Sequence, residues 1–238
     1  MDIQNLYEKQ YREGKLKSDY ASFKILRKLF KKFNKSREDI AERFLEKGER
    51  ILDIGCGDGT FLLKASRFYN ELYGIDIVDS RIKKAEEFLN NSVSSDKIHL
   101  FVEDVNNGLT FFNDNFFDCV SIIAVLEHLF DPFLIIREIK RVLKPGGILI
   151  LEVPNIGYIK HRIKLLFGKL PITSSPYNWQ EIGWDGGHLH YFTLGSLKWL
   201  LGLYSLKIEQ VSGSGLFADF RNFYPSLLCG DIILKAQK

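Results

Sequence analysis

Apolar residues recur along this chain in two rhythms. Between about residues 50 and 154, short and nearly continuous apolar runs alternate with stretches whose apolar positions return every three or four residues. The runs are 50–54 (RILDI), 71–76 (ELYGID), 97–102 (KIHLFV), 116–123 (FFDCVSII) and 148–153 (ILILEV). Such runs read as strands covered on both faces, because neither face needs polar residues. The intervening stretches 59–68, 79–91 and 132–143 read as helices. Asp79 or Ser80 is the expected cap of the second, Pro132 opens the third, and Lys144-Pro145-Gly146-Gly147 stops it. Strand–helix alternation with short connections predicts an α/β fold around a parallel sheet.

The rhythm changes at both ends. Residues 2–50 read as helical, with Phe23, Leu26, Phe30 and Phe33 on one face and lysines on the other. Ser36, followed by Glu38 and Asp39, restarts a helix that runs to about Glu46. Beyond residue 154 come a basic amphipathic stretch (158–170) and an aromatic, glycine-rich segment (176–192). A helix over 193–202 capped by Thr193 and strands over 204–212 and 229–236 complete the chain. The expected organisation is a helical cap (1–48) and an α/β domain (49–238) with an acceptor-binding insertion at about 154–192.

The decapeptide ILDIGCGDGT at 51–60 carries the most chemistry. A strand that breaks into Gly55, Gly57 and Gly59 before re-entering a helix offers bare backbone N–H groups to a ligand. The pattern is D-x-G-x-G-x-G, whereas the dinucleotide loop is G-x-G-x-x-G, so an NAD-dependent oxidoreductase is disfavoured. In an open parallel sheet, ligands lie beyond the C-terminal ends of the strands. Those ends hold Asp53, Asp76, Glu103-Asp104-Val105 and Ala124-Val125-Leu126-Glu127-His128. Asp76 suits the two hydroxyls of a ribose, and Asp104 with Val105 suits an adenine. Together these ends suit one elongated nucleoside, although Asp76 alone would also cap a turn and Asp104 alone would also start one.

Composition narrows the field. The 238 residues carry a formal net charge of +3, too mild to announce a nucleic-acid partner. The basic residues cluster, with seven between Lys24 and Arg37 and no acidic one. This stretch and 158–170 suit peripheral contact with an anionic membrane surface, or simply a solvated helix face. Cys56, Cys119 and Cys229 form no disulfide framework and read as small buried hydrophobes of a reducing compartment. The N-terminus shows no signal-peptide core and no run long enough to span a bilayer, so a cytoplasmic location is expected.

The motifs LDIGCGDGT (52–60), YGIDI (73–77), EDV (103–105), FDCVSIIAVLEHLFDP (117–132), IKRVLKPGGILILEVPN (139–155) and HLHYFT (188–193) resemble those of class I S-adenosylmethionine-dependent methyltransferases. Within that family the chain is similar to the subgroup that includes the ubiquinone-biosynthesis O-methyltransferases and many small-molecule and sugar methyltransferases. The resemblance implies a Rossmann-like, seven-stranded, mostly parallel sheet of order 3-2-1-4-5-7-6 with the seventh strand antiparallel. It implies S-adenosyl-L-methionine as cofactor. Asp53, Gly55 and Gly57, with Cys56 and Gly59 in the same loop, would face its methionine end. Asp76 and Ile77 would face the ribose, Asp104 and Val105 the adenine, and the segment Ala124 to His128 the sulfonium.

The sulfonium is already activated, so the protein's task is to align the acceptor and exclude water. A hydroxyl acceptor also profits from a general base, and histidine is the natural one near neutral pH. His99 lies mid-strand and reads as structural; His161 reads as part of an exposed basic helix. The candidate catalytic or substrate-contacting residues are His128, His188 and His190, with loop ordering through Glu127 or Asp131 as the alternative for His128. No metal is expected. Relatives that use one place a carboxylate where this chain has Ala124, so only Glu127 and His128 match. Tyr7, Tyr11 and Tyr20 suit a lid over the cofactor or ordinary helix packing, and Tyr177, Trp179, Trp184, Tyr191 and Phe192 suit a platform for a sugar or flat ring or a core filling. The expected function is methyl transfer to a small molecule, a sugar or lipid-linked hydroxyl. A non-catalytic cofactor-binding regulator is the second alternative.

Overall fold

A computed structural model of the chain describes residues 33–174 and 187–238. Seven strands form one sheet: β1 (Gly48–Ile54), β2 (Tyr69–Asp76), β3 (Ile98–Val102), β4 (Phe117–Ile123), β5 (Leu143–Pro154), β6 (Lys207–Ser212) and β7 (Asp231–Gln237). Their spatial order is β3-β2-β1-β4-β5-β7-β6, the expected 3-2-1-4-5-7-6. The first five are parallel, and β7 runs antiparallel to both β5 and β6. A two-residue ribbon pairs Asn34–Lys35 with Gly215–Leu216.

The sheet is apolar on both faces because helices cover both. On one face Leu52, Val120, Leu149 and Leu151 pack with Ile135, Ile139 and Leu197. On the other, Ile51, Leu72, Cys119 and Ile150 pack with Ile40, Phe61, Leu62 and Leu89. Each such fully buried side chain stabilises the fold by about 1.5–3 kcal/mol before entropy is counted. All three cysteines are buried and unbridged.

The longer helices are α1 (Arg37–Glu42), α2 (Thr60–Ala65), α3 (Asp79–Asn90), α4 (Pro132–Val142), α5 (Ile159–Leu166) and α6 (Leu194–Leu203), with short turns of helix at Ala218–Arg221 and Pro225–Leu228. Their starts follow cap chemistry. Ser36 and Asp39 form a reciprocal capping box at α1, and Thr193 with Ser196 does so at α6. Asp131 accepts from the N–H groups of Phe133 and Leu134, with Pro132 in the first turn of α4. The expected side-chain cap of α3 is absent: Val78 is its N-cap residue. The reason lies upstream, where Asp76 Oδ1 accepts from Val78 N–H at 2.9 Å and starts the helix without help from Asp79 or Ser80.

Other differences are as local. Helix α1 stops at Glu42, short of the expected Glu46. Strand β5 begins at Leu143, and Lys144-Pro145-Gly146-Gly147 bulges from it before the pairing resumes at Ile148, with Gly146 at φ +79°. There the chain end clamps it: Gly146 N–H donates to Lys238 O and Lys238 N–H to Gly147 O, at 3.1 and 3.0 Å. His161 lies on a basic helix, as expected, yet its side chain is buried beside Tyr158. No helix among the described residues is long and apolar enough to cross a membrane. The helical reading of residues 2–32 and most of the aromatic segment, including Tyr7, Tyr11, Tyr20, Tyr177, Trp179 and Trp184, lie outside the described residues.

Candidate active site

The glycine loop leaves β1 in left-handed conformations that favour glycine, with φ of +74° at Gly55, +58° at Gly57 and +79° at Gly59. Gly55 and Cys56 both donate backbone N–H bonds to Ile75 O, at 2.7 and 2.9 Å, which ties the loop to the end of β2. Gly57 N–H donates to Asp76 Oδ2 at 3.0 Å. The Asp76 carboxylate is therefore aimed under the glycine loop, and Arg81 on α3 stands 3.4 Å from the same oxygen. A side chain would fill this cradle: a Cβ on Gly57 would stand 2.3 Å from Arg81 Nη2. Arg81 escapes sequence reading because one positive charge on a polar helix carries no signal of its own.

Asp53 is buried beneath the loop and accepts from Ser121 Oγ at 2.7 Å. Burial, opposed by that hydrogen bond, pushes its carboxyl up to about 7. Burial also pushes the Cys56 thiol well up, so Cys56 is a packing residue of the loop and not a poised nucleophile. Beyond β3, Asp104 Oδ1 accepts from Asn106 N–H and Nδ2 at 2.9 and 2.8 Å, so this carboxylate does start the turn in which Val105 is buried.

Strand β4 ends in a sharp turn. Ala124 adopts φ +55°, unusual for a residue with a Cβ, and its N–H donates to Glu152 O at 3.1 Å. The next residues form a 3-10 turn, Leu126–His128. Glu127 is 1% exposed. Burial pushes its carboxyl well up, and Glu152 nearby adds to the effect. Glu152 is itself buried and raised by burial, with Arg37 of α1 as its counter-ion at 3.4 Å. This acidic pair was missed from the sequence, because Glu152 sits mid-run in an apolar strand.

The segment before α6 returns to this turn. Leu189 and His190 N–H groups donate to Glu127 O at 2.9 and 3.1 Å. His128 Nδ1 lies 2.6 Å from Gly187 O, and His188 Nδ1 lies 2.7 Å from Thr173 Oγ1. The two rings meet edge to face at 4.8 Å, and each Nε2 is 3.9 Å from Glu127 Oε1. Two of the three candidate histidines are thus brought together. The third is not: the His190 ring lies toward Phe192, 6.3 Å between centroids. Asp131 caps α4, so any loop ordering by His128 runs through Gly187 and Glu127.

The glycine cradle, the carboxylate beneath it and the histidine-bearing turn line the C-terminal ends of β1, β2 and β4. Their fit to an adenosine-bearing cofactor rests on the left-handed glycines, on the Asp76 carboxylate beneath them and on space that any side chain would take. Comparison with known proteins agrees. A protein family described as a methyltransferase domain matches residues 25–211, well over half of the chain. The chain is 34% identical over 116 residues to a ubiquinone biosynthesis O-methyltransferase of Xanthomonas campestris pv. campestris, covering 49% of this chain and 47% of that one. It thus spans about half the length of the curated relatives it matches. Among solved structures, a SAM-dependent methyltransferase from Methanosarcina mazei has a TM-score of 0.58 at 27% identity, over 84% of this chain and 96% of that one. One from Mesorhizobium loti shares the fold, with a TM-score of 0.64 at 17% identity over 85% and 98%. The chain belongs to the methyltransferase-domain family, and its cofactor is S-adenosyl-L-methionine.

Proposed function

We propose that this chain transfers the methyl group of S-adenosyl-L-methionine to a hydroxyl oxygen of a small molecule, a sugar or a lipid-linked metabolite. The observation that carries this reading is the cluster of Glu127, His128 and His188 at the end of β4, with both Nε2 atoms 3.9 Å from one buried carboxylate oxygen. An amine reaches a sulfonium with its lone pair already available, whereas a hydroxyl must give up a proton near the transition state. A buried cluster of imidazoles and carboxylate is the equipment for that proton. In this reading Asp53, Gly55, Cys56, Gly57 and Gly59 hold the methionine end, Asp76 and Ile77 the ribose, and Asp104 and Val105 the adenine, and Ala124 lies beside the methyl group. His190 lies on the acceptor side.

Similarity to the Xanthomonas O-methyltransferase supports oxygen as acceptor. Helix α5 supports a lipid-linked one, since Ile163 and Leu166 are exposed among Lys160, Lys164 and Lys169. Such a surface suits peripheral contact with an anionic membrane. Residues 1–48 then act as a helical cap and 154–192 as the acceptor-binding insertion. Nucleic acid is not among the proposed partners. The test incubates the protein with methyl-labelled S-adenosyl-L-methionine and matched hydroxyl and amine acceptors, sugars and lipid-linked phenols among them. Label in a hydroxyl-derived ether supports the reading. Label only in amines, or in no acceptor despite cofactor binding, overturns it.

A further inference from the structure

Glu127, His128 and His188 come from two distant segments, yet one donor atom of each lies within 4.8 Å of the others. A carbonyl oxygen only accepts, so the contact with Gly187 O places the hydrogen of a neutral His128 on Nδ1 and its lone pair on Nε2. The Thr173 hydroxyl can accept from His188 Nδ1–H in the same way. Metal-bound histidines hold their outer nitrogen in this manner, with Nδ1–H given to a carbonyl or hydroxyl. Between the two Nε2 atoms stands a carboxylate that is 1% exposed and whose Oε2 accepts no hydrogen bond. A carboxyl group buried in that state either keeps its proton or meets a cation. Among the described residues the cation whose charge acts on Glu127 is Arg37, and its guanidinium is bonded to Glu152.

We propose that Glu127, through Oε1, and His128 and His188, through Nε2, bind a first-row transition-metal dication of the zinc, cobalt or iron kind. Two imidazoles and one carboxylate suit these ions, whereas Mg²⁺ and Ca²⁺ take oxygen ligands. Ligand bonds of about 2.0–2.2 Å bring nitrogen and oxygen to about 3.4 Å apart at a tetrahedral angle. The present 3.9 Å separations therefore need only a small side-chain rotation to close. Three protein ligands leave an open position, as in catalytic sites. An acceptor hydroxyl entering it would lose its proton more readily. That catalytic consequence rests on the function proposed above; the binding itself does not. Ala124 gives no donor, and His188 supplies from the far segment what the β4 turn lacks.

The whole chain, stripped with EDTA and dialysed, is titrated with CoCl2 while its visible d–d bands are followed, and with ZnCl2 by calorimetry. One equivalent of Co²⁺ is expected, displaced by Zn²⁺ and not by excess MgCl2. His188→Ala and Glu127→Gln are expected to weaken binding at least about tenfold, and His99→Ala, in β3, to leave it unchanged. His188→Gln replaces His188→Ala if thermal unfolding shows the alanine variant to be misfolded. No saturable uptake by the wild type, equal uptake by the His188 and Glu127 variants, or an equal loss in His99→Ala overturns the proposal. Metal uptake without hydroxyl methylation would remove the proposed function and leave this site standing. Methylation by protein that takes up no cation would do the reverse.

Discussion

Val125 lies across Gly55: a Cβ added to that glycine would stand 2.2 Å from Val125 Cγ2. The contact joins the glycine loop after β1 to the turn after β4, the two segments that the proposed function sets around the methyl donor. Gly55→Ala meets this clash and also a φ of +74°. The left-handed conformation costs roughly 1–2 kcal/mol and the overpacking about 1–3 kcal/mol. Chemical denaturation should show a loss of that summed order, with S-adenosylhomocysteine affinity falling in parallel. Adding Val125→Ala should return the overpacking part and not the conformational part. A double variant no more stable than Gly55→Ala alone would show that the clash is not what makes glycine necessary.

Asp76 is held by three donors, Gly57 N–H, Val78 N–H and the Arg81 guanidinium, at 3.0, 2.9 and 3.4 Å. Asp76→Ala removes a charged acceptor from beneath the glycine loop and the group that starts α3. Hydrogen bonds to a charged group are worth about 1.5–3 kcal/mol, so calorimetry should find cofactor affinity reduced roughly 10- to 100-fold. Asp76→Asn keeps one acceptor, enough for Val78 N–H but not for Gly57 N–H as well, and should restore the helix start without restoring the affinity. Wild-type affinity in Asp76→Ala would dismiss the ribose assignment.

Much of the framework was legible because its causes are local. Strands covered on both faces write themselves as apolar runs, and Ser36, Pro132 and Thr193 announce the helices they open. The seven-strand order followed from resemblance to a family and is present strand for strand. What was not legible depends on tertiary contact. Val78 starts α3 only because Asp76 reaches forward two residues. His161 is polar by type, yet its side chain turns inward beside Tyr158. The meeting of His188 with Glu127 joins loops with no shared periodicity, and the Arg37–Glu152 pair spans 115 residues of chain. No local pattern records either.

The buried Asp53 gives folding stability a pH signature. Its carboxyl has an ordinary value of 3.8 in the unfolded chain and is pushed up to about 7 in the fold, chiefly by burial. Between these values the folded state keeps a proton that the unfolded state has lost. Stability from this group is therefore full below about pH 4, falls as pH rises toward 7, and is level above it. A shift of about three pKa units corresponds to at most roughly 4 kcal/mol. Asp53→Asn stays neutral and keeps an oxygen for the Ser121 hydroxyl. Glu152 is also raised by burial, so the useful quantity is the difference between variant and wild type. Thermal unfolding should show the variant stabilised at pH 8 with no gain at pH 4. A difference that does not change with pH would mean that Asp53 is ionised in the fold throughout.

In the proposed function His128 and His188 stand on the acceptor side, and Gly55, Gly57 and Asp76 hold the cofactor. Removing either imidazole should therefore separate chemistry from cofactor binding. Loss of a proton-accepting or substrate-orienting group typically lowers turnover by about 10²-fold or more. His128→Ala is expected to show a loss of that order in kcat while calorimetric affinity for S-adenosylhomocysteine stays near the wild-type value. His188→Ala should behave alike, because both Nε2 atoms lie 3.9 Å from the same oxygen of Glu127. The double variant should be little worse than either single one, since groups that act as a unit lose their effect together. His190 faces Phe192 and is outside that unit, so His190→Ala should lower kcat less than either. Losses for His128 and His188 that multiply in the double variant would show two independent roles and break the cluster apart as a functional unit.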